Sequence, residues 1–369
     1  MSLARGLVLL SALAALLSLI QPLGLAGDVT VAPWGVTPIL AYAAATLAAA
    51  AIFRLAIPPA ISGILAFGGA IALLLALGAF TLAGSGYWLL LVSVWLIAWA
   101  FAERLSNDLR AARNDWAGML VPLAFGAMIL VAWEAGVRGG NVPLIILPAP
   151  SAIWARIAAN TGMLWADFQQ TFLKAVLAGY VIGNLAGLLI AIAVDRSPFL
   201  KRGLLPIGNF VSALPLVGIA PIMVMWFGFD WPSKAAVVVL MTFFPMLVNA
   251  VAGLNMAGAM ERDLMRSYAA GYWGTLFKLR LPAAAPFIFN ALKINSTLAL
   301  IGAIVAEFFG TPIVGMGFRI STAVGRMDID LVWAEIAVSA VAGSVFYGVV
   351  ALAERAVTFW HPSIRAGKA

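Results

Sequence analysis

The residues of this chain that are best placed for chemistry are polar side chains in the middle of long apolar runs. They are Asn184, Asn249, Asn295, Ser296 and Thr297, all of them uncharged. Polar groups inside a membrane are costly unless they are paired or hydrated. Amides and hydroxyls at this depth therefore either hydrogen-bond a polar ligand or join one helix to another, and the sequence leaves both alternatives open.

Charged groups avoid the same depth. Lys293 lies about a turn from the centre of its run, and Glu307 and Glu335 fall near the outer ends of theirs. Ion-coupled carriers usually place carboxylates at mid-depth, so this pattern disfavours that class. The chain also lacks the G-x-x-x-x-G-K-[ST] loop that binds nucleotide phosphates. With no cysteine and one histidine, His361, disulfides, thiolate metal sites and cysteine nucleophiles are excluded.

Composition places these residues in a membrane. Hydrophobic residues make up 64% of the chain, charged residues 10%, and the mean hydropathy is +1.04. A soluble domain needs far more charge to cover its surface. The net charge of +7 fits basic loops at a membrane rather than a nucleic-acid surface, because no basic run carries interleaved aromatic residues. We expect an all-α polytopic membrane protein that contacts lipid and binds no nucleic acid.

A helix needs roughly 20 apolar residues to cross the hydrocarbon layer. The chain has about ten such runs, at 3–25, 36–56, 59–82, 86–102, 117–136, 168–194, 206–228, 233–256, 287–307 and 331–352. An even number places both termini on one side. The first run also resembles a signal peptide, with Arg5 as its charged start, but its length favours an uncleaved helix.

The distribution of basic residues orients the spans. With the amino terminus inside, the inner segments hold fifteen Lys and Arg, and the outer segments hold only Arg138, Arg156, Lys234, Arg319 and Arg326. Loops on the cytoplasmic side are enriched in basic residues. Both termini and the polar stretch 260–282 are therefore predicted to be cytoplasmic.

Prolines and aromatics mark a candidate pathway. Pro215 and Pro221 interrupt the span 206–228, and non-helical backbone at membrane depth must be covered by protein or line a water path. Phe243 and Phe244 are candidates for an apolar gate opposite it, although an aromatic pair is also ordinary packing. The predicted pathway residues are Asn184, Pro215, Pro221, Phe243, Phe244, Asn249, Asn295 and Thr297.

Small residues predict close helix contacts. Gly179, Gly183 and Gly187 are four residues apart on one helical face, which is typical of tight packing between membrane helices. The same is expected of Gly63, Gly68 and Gly69. Outside the spans, Ser151 is predicted to cap a short helix that runs to Ile157.

The pattern of apolar residues in and just before the stretch 263–282 predicts two short amphipathic helices. Residues 260–270 and 272–279 each place apolar side chains on one face, with Gly271 as the break. Pro282 is expected to end the second helix. A helix–turn–helix hairpin at the membrane surface is predicted.

This stretch resembles the EAA loop of permease subunits in ATP-driven, binding-protein-dependent importers. The pattern E-A-A, three residues, Gly, nine residues, Ile-x-Leu-Pro falls on Asp263, Leu264, Met265, Ala269, Leu279, Leu281 and Pro282. The resemblance implies that the hairpin couples to an ATPase. The residues it assigns to that coupling are Asp263, Arg266, Ser267, Tyr268, Ala269, Ala270, Gly271, Leu281 and Pro282.

The similarity extends from Trp133 to Trp360, to the nitrate, sulfonate and taurine branch of that family and its riboflavin and pyrimidine-precursor relatives. Its landmarks are Leu147 to Ser151, Thr171 with Gly179 and Gly183, Ala213 to Pro215, Pro221 with Trp226 to Gly228, Phe244-Pro245 and Ala306-Glu307. The run 264–270 is most similar to the riboflavin and pyrimidine relatives.

The resemblance implies a six-helix type I importer core in a bacterial inner membrane. It also implies a second permease copy, separate ABC ATPase subunits that bind ATP and Mg, and a periplasmic substrate-binding protein. No cofactor and no catalytic residue are then expected in this chain. Arg319 and Arg326, in the last outer loop, are predicted to dock the binding protein.

A polar stretch, 103–116, separates the resembling region from the spans before it. We expect an accessory four-helix bundle at 1–104, a cytoplasmic linker at 105–116 and the permease core at 117–369, with its coupling loop at 260–282. The predicted function is alternating-access import of a small solute such as riboflavin or a pyrimidine precursor. Sulfonate, taurine or nitrate anions are the alternative within the class, and an ion-coupled carrier is the alternative outside it.

Overall fold

The structure, a computed structural model, describes residues 3–112, 120–212, 215–310 and 313–360. Regular structure in these ranges is helical except for a small antiparallel sheet of β1 (Gly24–Ala26), β2 (Val29–Val31) and β3 (Leu82–Ala83), ordered β2-β1-β3. The all-α prediction is confirmed. The chain forms two compact units, Met1–Ala155 and Arg156–Ala369.

The first unit is built from apolar helices. They are α1 (Leu3–Ser18), α2 (Thr37–Ile52), α3 (Pro59–Ala76), α4 (Ser85–Ala112) and α5 (Leu120–Gly139), followed by the start of α6 (Pro150–Ala159). A Cβ on Gly69 would lie 2.6 Å from the Tyr42 ring, so that glycine does permit close packing, whereas nothing lies within 4 Å of one on Gly68. Helix α4 continues to Ala112, so the first part of the predicted linker is helical, and residues 113–119 lie outside the described ranges.

Helix α6 is capped differently from the prediction. It begins at Pro150, and Ser151 lies in its first turn rather than at its cap. The Glu134 carboxylate accepts both the Ser151 N–H (2.9 Å) and the Ser151 hydroxyl (2.7 Å). A carboxylate is stabilised by the free N–H groups and positive dipole end of a helix. Glu134, 17 positions before Ser151, thus caps the helix in place of Ser151.

The second unit begins with a continuous helical stretch made of α7 (Thr161–Phe168), a π-helical segment (Gln169–Val176) and α8 (Leu177–Arg196). The remaining elements are α9 (Pro198–Ser212), α10 (Leu216–Phe227), α11 (Trp231–Leu254), α12 (Ala259–Ser267), α13 (Tyr272–Thr275), a second π-helical segment (Leu276–Arg280), α14 (Leu281–Glu307), α15 (Met316–Gly325) and α16 (Ile329–Val357). Helices α8, α11 and α14 share buried apolar clusters and form its centre.

Among the described residues, seven helical stretches are long and apolar enough to cross a membrane. They are Pro59–Ala76, Ser85–Asp108, Leu120–Gly139, Thr161–Arg196, Trp231–Leu254, Tyr272–Glu307 and Ile329–Val357. The other three predicted spans correspond to the shorter apolar helices α1, α2 and α10. A helix rises about 1.5 Å per residue, so these three are shorter than the roughly 30 Å hydrocarbon layer.

The predicted span 206–228 is divided into two helices. Helix α9 ends at Ser212, Pro215 has extended backbone (φ −67°, ψ 121°), and α10 starts at Leu216. The break at Pro215 is confirmed, whereas Pro221 lies inside α10 and does not interrupt it. The landmark residues Ala213 and Leu214 lie outside the described ranges.

Glycines bring α8 against α11, as predicted. A Cβ on Gly183 would lie 2.1 Å from the Thr242 hydroxyl and 2.8 Å from the Val239 carbonyl oxygen. On Gly179 it would meet the Val238 side chain, and on Gly187 the Phe243 carbonyl. Since these atoms are closer than carbon contacts permit, only glycine allows the two backbones to approach this closely.

We predict that Gly183→Val destabilises the second unit, because the neighbouring atoms include backbone that cannot move aside. Overpacking of this kind typically costs ~1–3 kcal/mol of unfolding free energy. Unfolding in mixed detergent micelles measures it. Gly348→Val on α16 is the matched control, since nothing lies within 4 Å of a Cβ there. Equal stability of the two variants would contradict the close α8–α11 contact.

Candidate functional site: a surface hairpin and the polar contacts that hold it

The predicted hairpin is present. Helix α12 ends in a Schellman motif, in which the Ala269 N–H donates to Arg266 O (2.9 Å) and the Ala270 N–H to Met265 O (3.0 Å). Ala269 has φ +53°, in the left-handed region where glycine is usual. This is the position at which the EAA pattern carries its glycine. The bend therefore centres on Ala269 rather than on Gly271, the predicted break.

The second helix of the hairpin does not stop at Pro282, contrary to the sequence prediction. Helix α13, the π-helical segment and α14 are continuous from Tyr272 to Glu307. Leu281 closes the wide turn by donating its N–H to Leu276 O, and Pro282 lies in the first turn of α14. A proline inside a helix has no N–H to donate and usually interrupts it; here Pro282 comes just after the π-helical segment, and the helix continues through it. The hairpin is thus directly connected to a membrane helix.

Most of the predicted coupling residues face outward. Asp263, Arg266, Ser267, Tyr268, Ala269 and Gly271 are exposed, and Ala270, Leu281 and Pro282 are half-buried. Apolar side chains accompany them: Tyr268 is 77% exposed and Met260 83%. Asp263 and Arg266 form a solvent-exposed ion pair at 3.2 Å. The hairpin therefore presents a mixed apolar and charged surface to its surroundings.

A buried ion pair ties this hairpin to the rest of the unit. The Arg280 guanidinium donates to both oxygens of Asp195, at the end of α8, with both distances 2.6 Å. Its Nε donates to Leu254 O at the end of α11 (3.0 Å). The side chains of Arg280 and Asp195 are only 12% and 8% exposed. We call this contact the Arg280 anchor.

Aromatic and apolar contacts surround the Arg280 anchor. The Tyr272 hydroxyl donates to Asp195 Oδ2 (3.2 Å), and the Arg196 guanidinium lies 5.4 Å from the centre of the Tyr272 ring. Leu254 and Leu276 are fully buried beneath them. The planar fork of arginine matches a carboxylate in two parallel hydrogen bonds, which fixes geometry as well as charge. The anchor thus holds the ends of α8 and α11 against the start of α14.

Sequence reasoning counted Arg280 only as a basic loop residue and missed this anchor. Asp195 and Arg280 are 85 positions apart, and neither stands in a local motif that signals the other. The available signal was an unpaired acidic residue directly after a long apolar run. Such a residue at a span end is a candidate partner for any basic residue at the same membrane surface.

At mid-depth the structure brings two of the predicted polar residues together. The Asn295 amide donates to Asn184 Oδ1 (2.6 Å) and to Thr242 O (2.7 Å), and Asn184 donates to Tyr180 O (2.7 Å). Both asparagines are buried. Amide bonding between helices, one of the two alternatives, therefore describes this pair and links α8, α11 and α14.

The other predicted pathway residues are dispersed. Asn249 is half-buried, donates to Pro245 O (2.8 Å) and accepts from Asn290 (3.4 Å). Thr297 and Pro215 are exposed, and Pro221 is half-buried. Phe244 is buried against α8 and α14 with Phe243 beside it, whereas α10 packs on a different part of α11, around Val237. Which of these residues line a path stays a prediction.

At the opposite end of the second unit, polar side chains hold the start of α15. The N–H groups of Gly315, Met316 and Gly317 donate to Asp167 Oδ1, Thr171 Oγ1 and Glu307 Oε2, at 2.7, 2.8 and 2.7 Å. Thr171 also donates to Glu307 Oε1 (2.7 Å). These acceptors satisfy N–H groups that a helix start leaves free. We call this end of the unit the α15 end.

The predicted docking arginines differ in environment. Arg319 donates from Nε to Asp167 Oδ2 (2.8 Å), and the hydrogen bond to this carboxylate raises the pKa of the Arg319 guanidinium. Arg326 is exposed. Within the described ranges, no group of three or more Asp, Glu or His side chains is arranged to hold a metal ion.

Lys234 is buried, whereas the count of basic residues that oriented the spans had placed it in an outer loop. It is 1% exposed, and its ammonium donates to Phe229 O, Gly310 O and the Ser233 hydroxyl. A lysine head group out of water requires such acceptors. Lys234 thus ties the chain before α11 to the chain after α14. The sequence showed only a lysine near the end of a span.

Comparison with known proteins agrees with this architecture. Residues 183–359 match the family described as binding-protein-dependent transport system inner membrane component. The matched region starts in α8 and ends just after α16, so it includes the hairpin, the Arg280 anchor and α15 itself, whereas Asp167 and Thr171 of the α15 end precede it.

Named relatives cover more of the chain. The chain is 31% identical over 266 residues to the riboflavin transport system permease protein of Chloroflexus aurantiacus. The aligned region covers 70% of this chain and 97% of the relative. The chain is 28% identical to the formylaminopyrimidine transport permease protein of Halalkalibacterium halodurans (65% and 96%). It is 25% identical to the taurine transport system permease protein of Escherichia coli (71% and 98%).

We predict that Arg280→Ala lowers the unfolding free energy by ~3–5 kcal/mol, because removing one partner of a buried ion pair leaves the other charge uncompensated. A double-mutant cycle with Asp195→Ala in detergent micelles measures the coupling. The exposed pair Asp263 and Arg266 is the matched control, and a surface pair contributes about 0–1 kcal/mol. A coupling energy for the Arg280 anchor no larger than that of the control would contradict its assigned role.

Proposed function

The chain belongs to the family of inner-membrane components of binding-protein-dependent transport systems, and on that premise we propose that it imports a small neutral ring compound. It is a permease subunit of an ABC importer. The proposed substrate class is a riboflavin-like or pyrimidine-precursor solute, released into the permease by a binding protein and passed inward by alternating access.

The observation that carries the substrate class is the chemistry at mid-depth. In the described part of the second unit, the polar side chains there are uncharged: the amides of Asn184, Asn249 and Asn295 and the hydroxyls of Thr242, Ser296 and Thr297. The nearest cation, Lys293, is paired with Glu354 at 2.6 Å. A transport path formed by these helices would offer no free charge, which favours a neutral solute, because a desolvated anion requires a compensating positive group.

We further propose that separate ABC ATPase subunits drive the cycle, since no phosphate-binding loop occurs in the sequence. ATP and Mg bind to those subunits, and no cofactor is needed in this chain. The hairpin 260–282 is their contact surface on the cytoplasmic side. The Arg280 anchor supports this role, because a displacement of the hairpin reaches α8, α11 and α14 together.

The proposed role as an importer permease also indicates how the chain is assembled and oriented in the membrane. Two copies of the permease form the path in the bacterial inner membrane, with both termini cytoplasmic as the basic loops indicate. Residues 1–104 form an accessory bundle, 105–116 a linker and 117–369 the permease core. The first unit contains an apolar cavity of about 190 Å³ between α3, α4 and α5, with Phe67, Trp95 and Phe125 among its lining residues.

A sulfonate or taurine-like anion is the second candidate substrate. The E. coli relative is named for taurine transport. The two substrate classes differ in charge, so a binding measurement separates them. An ion-coupled carrier, the alternative that the sequence left open, does not agree with the family assignment.

The test is reconstitution of the permease with its ATPase and binding protein in vesicles. We expect ATP-dependent uptake of riboflavin or formylaminopyrimidine, and mass spectrometry of the purified binding protein should recover a neutral ring compound. Recovery of taurine or a sulfonate would overturn the substrate class and leave the importer. Uptake driven by an ion gradient without ATP would overturn the mechanism.

We propose that Arg326 helps to dock an acidic face of the binding protein, with Arg319 beside it. Exposed interface charges act mainly on association rate and its salt dependence. Arg326→Glu should therefore weaken binding-protein-stimulated ATP hydrolysis most at low salt. Arg326→Lys, which keeps the positive charge at the same position, is the control and should retain the wild-type salt profile. Identical salt profiles for wild type and Arg326→Glu would exclude docking at this residue.

We predict opposite effects of two substitutions at Ala269. Ala269→Gly removes a left-handed strain of about 1 kcal/mol and should preserve coupling. Ala269→Trp adds bulk at the exposed bend, and overpacking a tight contact costs ~1–3 kcal/mol, which lowers the bound fraction about 5- to 150-fold. Membrane insertion should persist, with less copurified ATPase or with hydrolysis uncoupled from uptake. Wild-type transport by Ala269→Trp would refute the proposed contact.

A further inference from the structure

In the part of the chain that the structure describes, one buried carboxyl group at the α15 end receives no hydrogen bond. Glu335, in the second turn of α16, is 0% exposed. Within the described residues, neither of its carboxyl oxygens has a hydrogen-bond partner. An ionised carboxylate removed from water without a donor or counterion costs far more than the free energy that stabilises a protein. Glu335 therefore requires a compensating group.

Three charged side chains face Glu335, one from each helix packed against it. Asp167 on α7 lies within hydrogen-bonding reach, and Arg319 on α15 and Glu307 on α14 act through their charges. Two carboxylates form a hydrogen bond only if one of them carries a proton. The contact between Asp167 and Glu335 thus requires one proton.

Hydrogen bonding decides which residue holds that proton. Asp167 accepts from the Gly315 N–H (2.7 Å) and from Nε and Nη2 of Arg319 (2.8 and 3.3 Å). Glu307 accepts on both oxygens, from Thr171 and from Gly317. Both carboxyl groups receive hydrogen bonds, whereas Glu335 receives none from the described residues. Glu335 is the residue left to act as a donor.

Charge balance supports the same assignment. The buried or half-buried ionisable side chains of this cluster are Asp167, Glu307, Glu335, Lys234 and Arg319. With a proton on Glu335, two carboxylates face two cations and the cluster is neutral. Without it, the cluster carries one uncompensated negative charge in a medium of low dielectric constant, which is strongly unfavourable.

We propose that Asp167 and Glu335 bind a proton between them, with Glu335 as the donor, and that this proton keeps α15 docked. Arg319 holds α15 through Asp167, so the Asp167–Glu335 contact extends that attachment to α16. Loss of the proton places two negative charges side by side and separates α16 from the other two helices. Docking of α15 is then favoured at low pH and weakens as the pH rises.

Infrared difference spectroscopy on the full-length protein in lipid tests the site directly. A neutral carboxylic acid has a C=O stretch above the amide I band that shifts in deuterated water. We expect wild type to show this band and Glu335→Gln to lack it. Glu354→Gln is the control, because Glu354 is paired with Lys293, and it should remove carboxylate bands only. Retention of the acid band in Glu335→Gln, or its loss in Glu307→Gln instead, would overturn the assignment.

The pH dependence of stability separates proton binding from simple packing. Glu335→Gln keeps the size and a donor for Asp167, so its thermal stability should match wild type at acidic pH and not fall as wild type does at alkaline pH. Glu335→Leu keeps the size without a donor and should be less stable at every pH. Parallel pH profiles for wild type and Glu335→Gln would contradict the proposal. The measurement needs no substrate, so its outcome is independent of the proposed transport function.

Discussion

The second unit depends on one constraint: polar groups on apolar helices must find their partners inside the protein. A hydrocarbon environment supplies no hydrogen bonds, so an unpaired donor or acceptor is costly. The unit meets this constraint at three depths. The Arg280 anchor joins helix ends beside the hairpin, Asn184 and Asn295 join helices in the middle, and the N–H groups of Gly315 to Gly317 are bound at the α15 end.

These three sets of contacts connect the same helices. Helix α8 contributes Asp195 and Asn184, and the continuous stretch before it contributes Thr171 and Asp167. Helix α14 contributes Asn295 and Glu307, and the segment leading into it contributes Arg280. A movement applied at the hairpin therefore acts on helices whose other ends hold α15. Packed helices joined by hydrogen bonds and ion pairs are the kind of network that can carry coupling between two distant ends.

The hydrogen bonds of Asn184 and Asn295 depend on close contact between the backbones of α8 and α11. The glycines of α8 let α11 approach until a Cβ on Gly183 would overlap the Thr242 hydroxyl. At that distance the Thr242 carbonyl and the Asn184 amide both come within reach of Asn295. The small residues and the polar residues are thus parts of one contact, because amide side chains are too short to bridge helices separated by larger residues.

The hairpin shows how a family pattern acts through backbone geometry. Its glycine position is the left-handed residue of a Schellman motif, which this chain fills with Ala269 at φ +53°. Its closing proline, Pro282, comes just after the π-helical segment, and the helix continues through it into α14. In this chain the motif thus forms a bend at Ala269 followed by a continuous helix.

The amino-acid sequence by itself determined what depends on local composition and spacing. Apolar length placed the long spans, glycines four residues apart predicted the contact of α8, the break at Pro215 followed from proline geometry, and the spacing through Leu281-Pro282 indicated the family. Each of these signals lies within one segment, where helical periodicity or a restricted backbone decides the outcome.

Only the tertiary structure decided which polar groups meet. Asp195 pairs with Arg280, 85 positions away, and Asp167 pairs with Arg319, 152 positions away. Among the described residues, no donor reaches Glu335, which lies near Asp167. Pairings of this kind depend on how the helices are arranged in space, which no local pattern encodes. The sequence could therefore show that buried polar groups would need partners, but the partners themselves were decided by the packing of the helices.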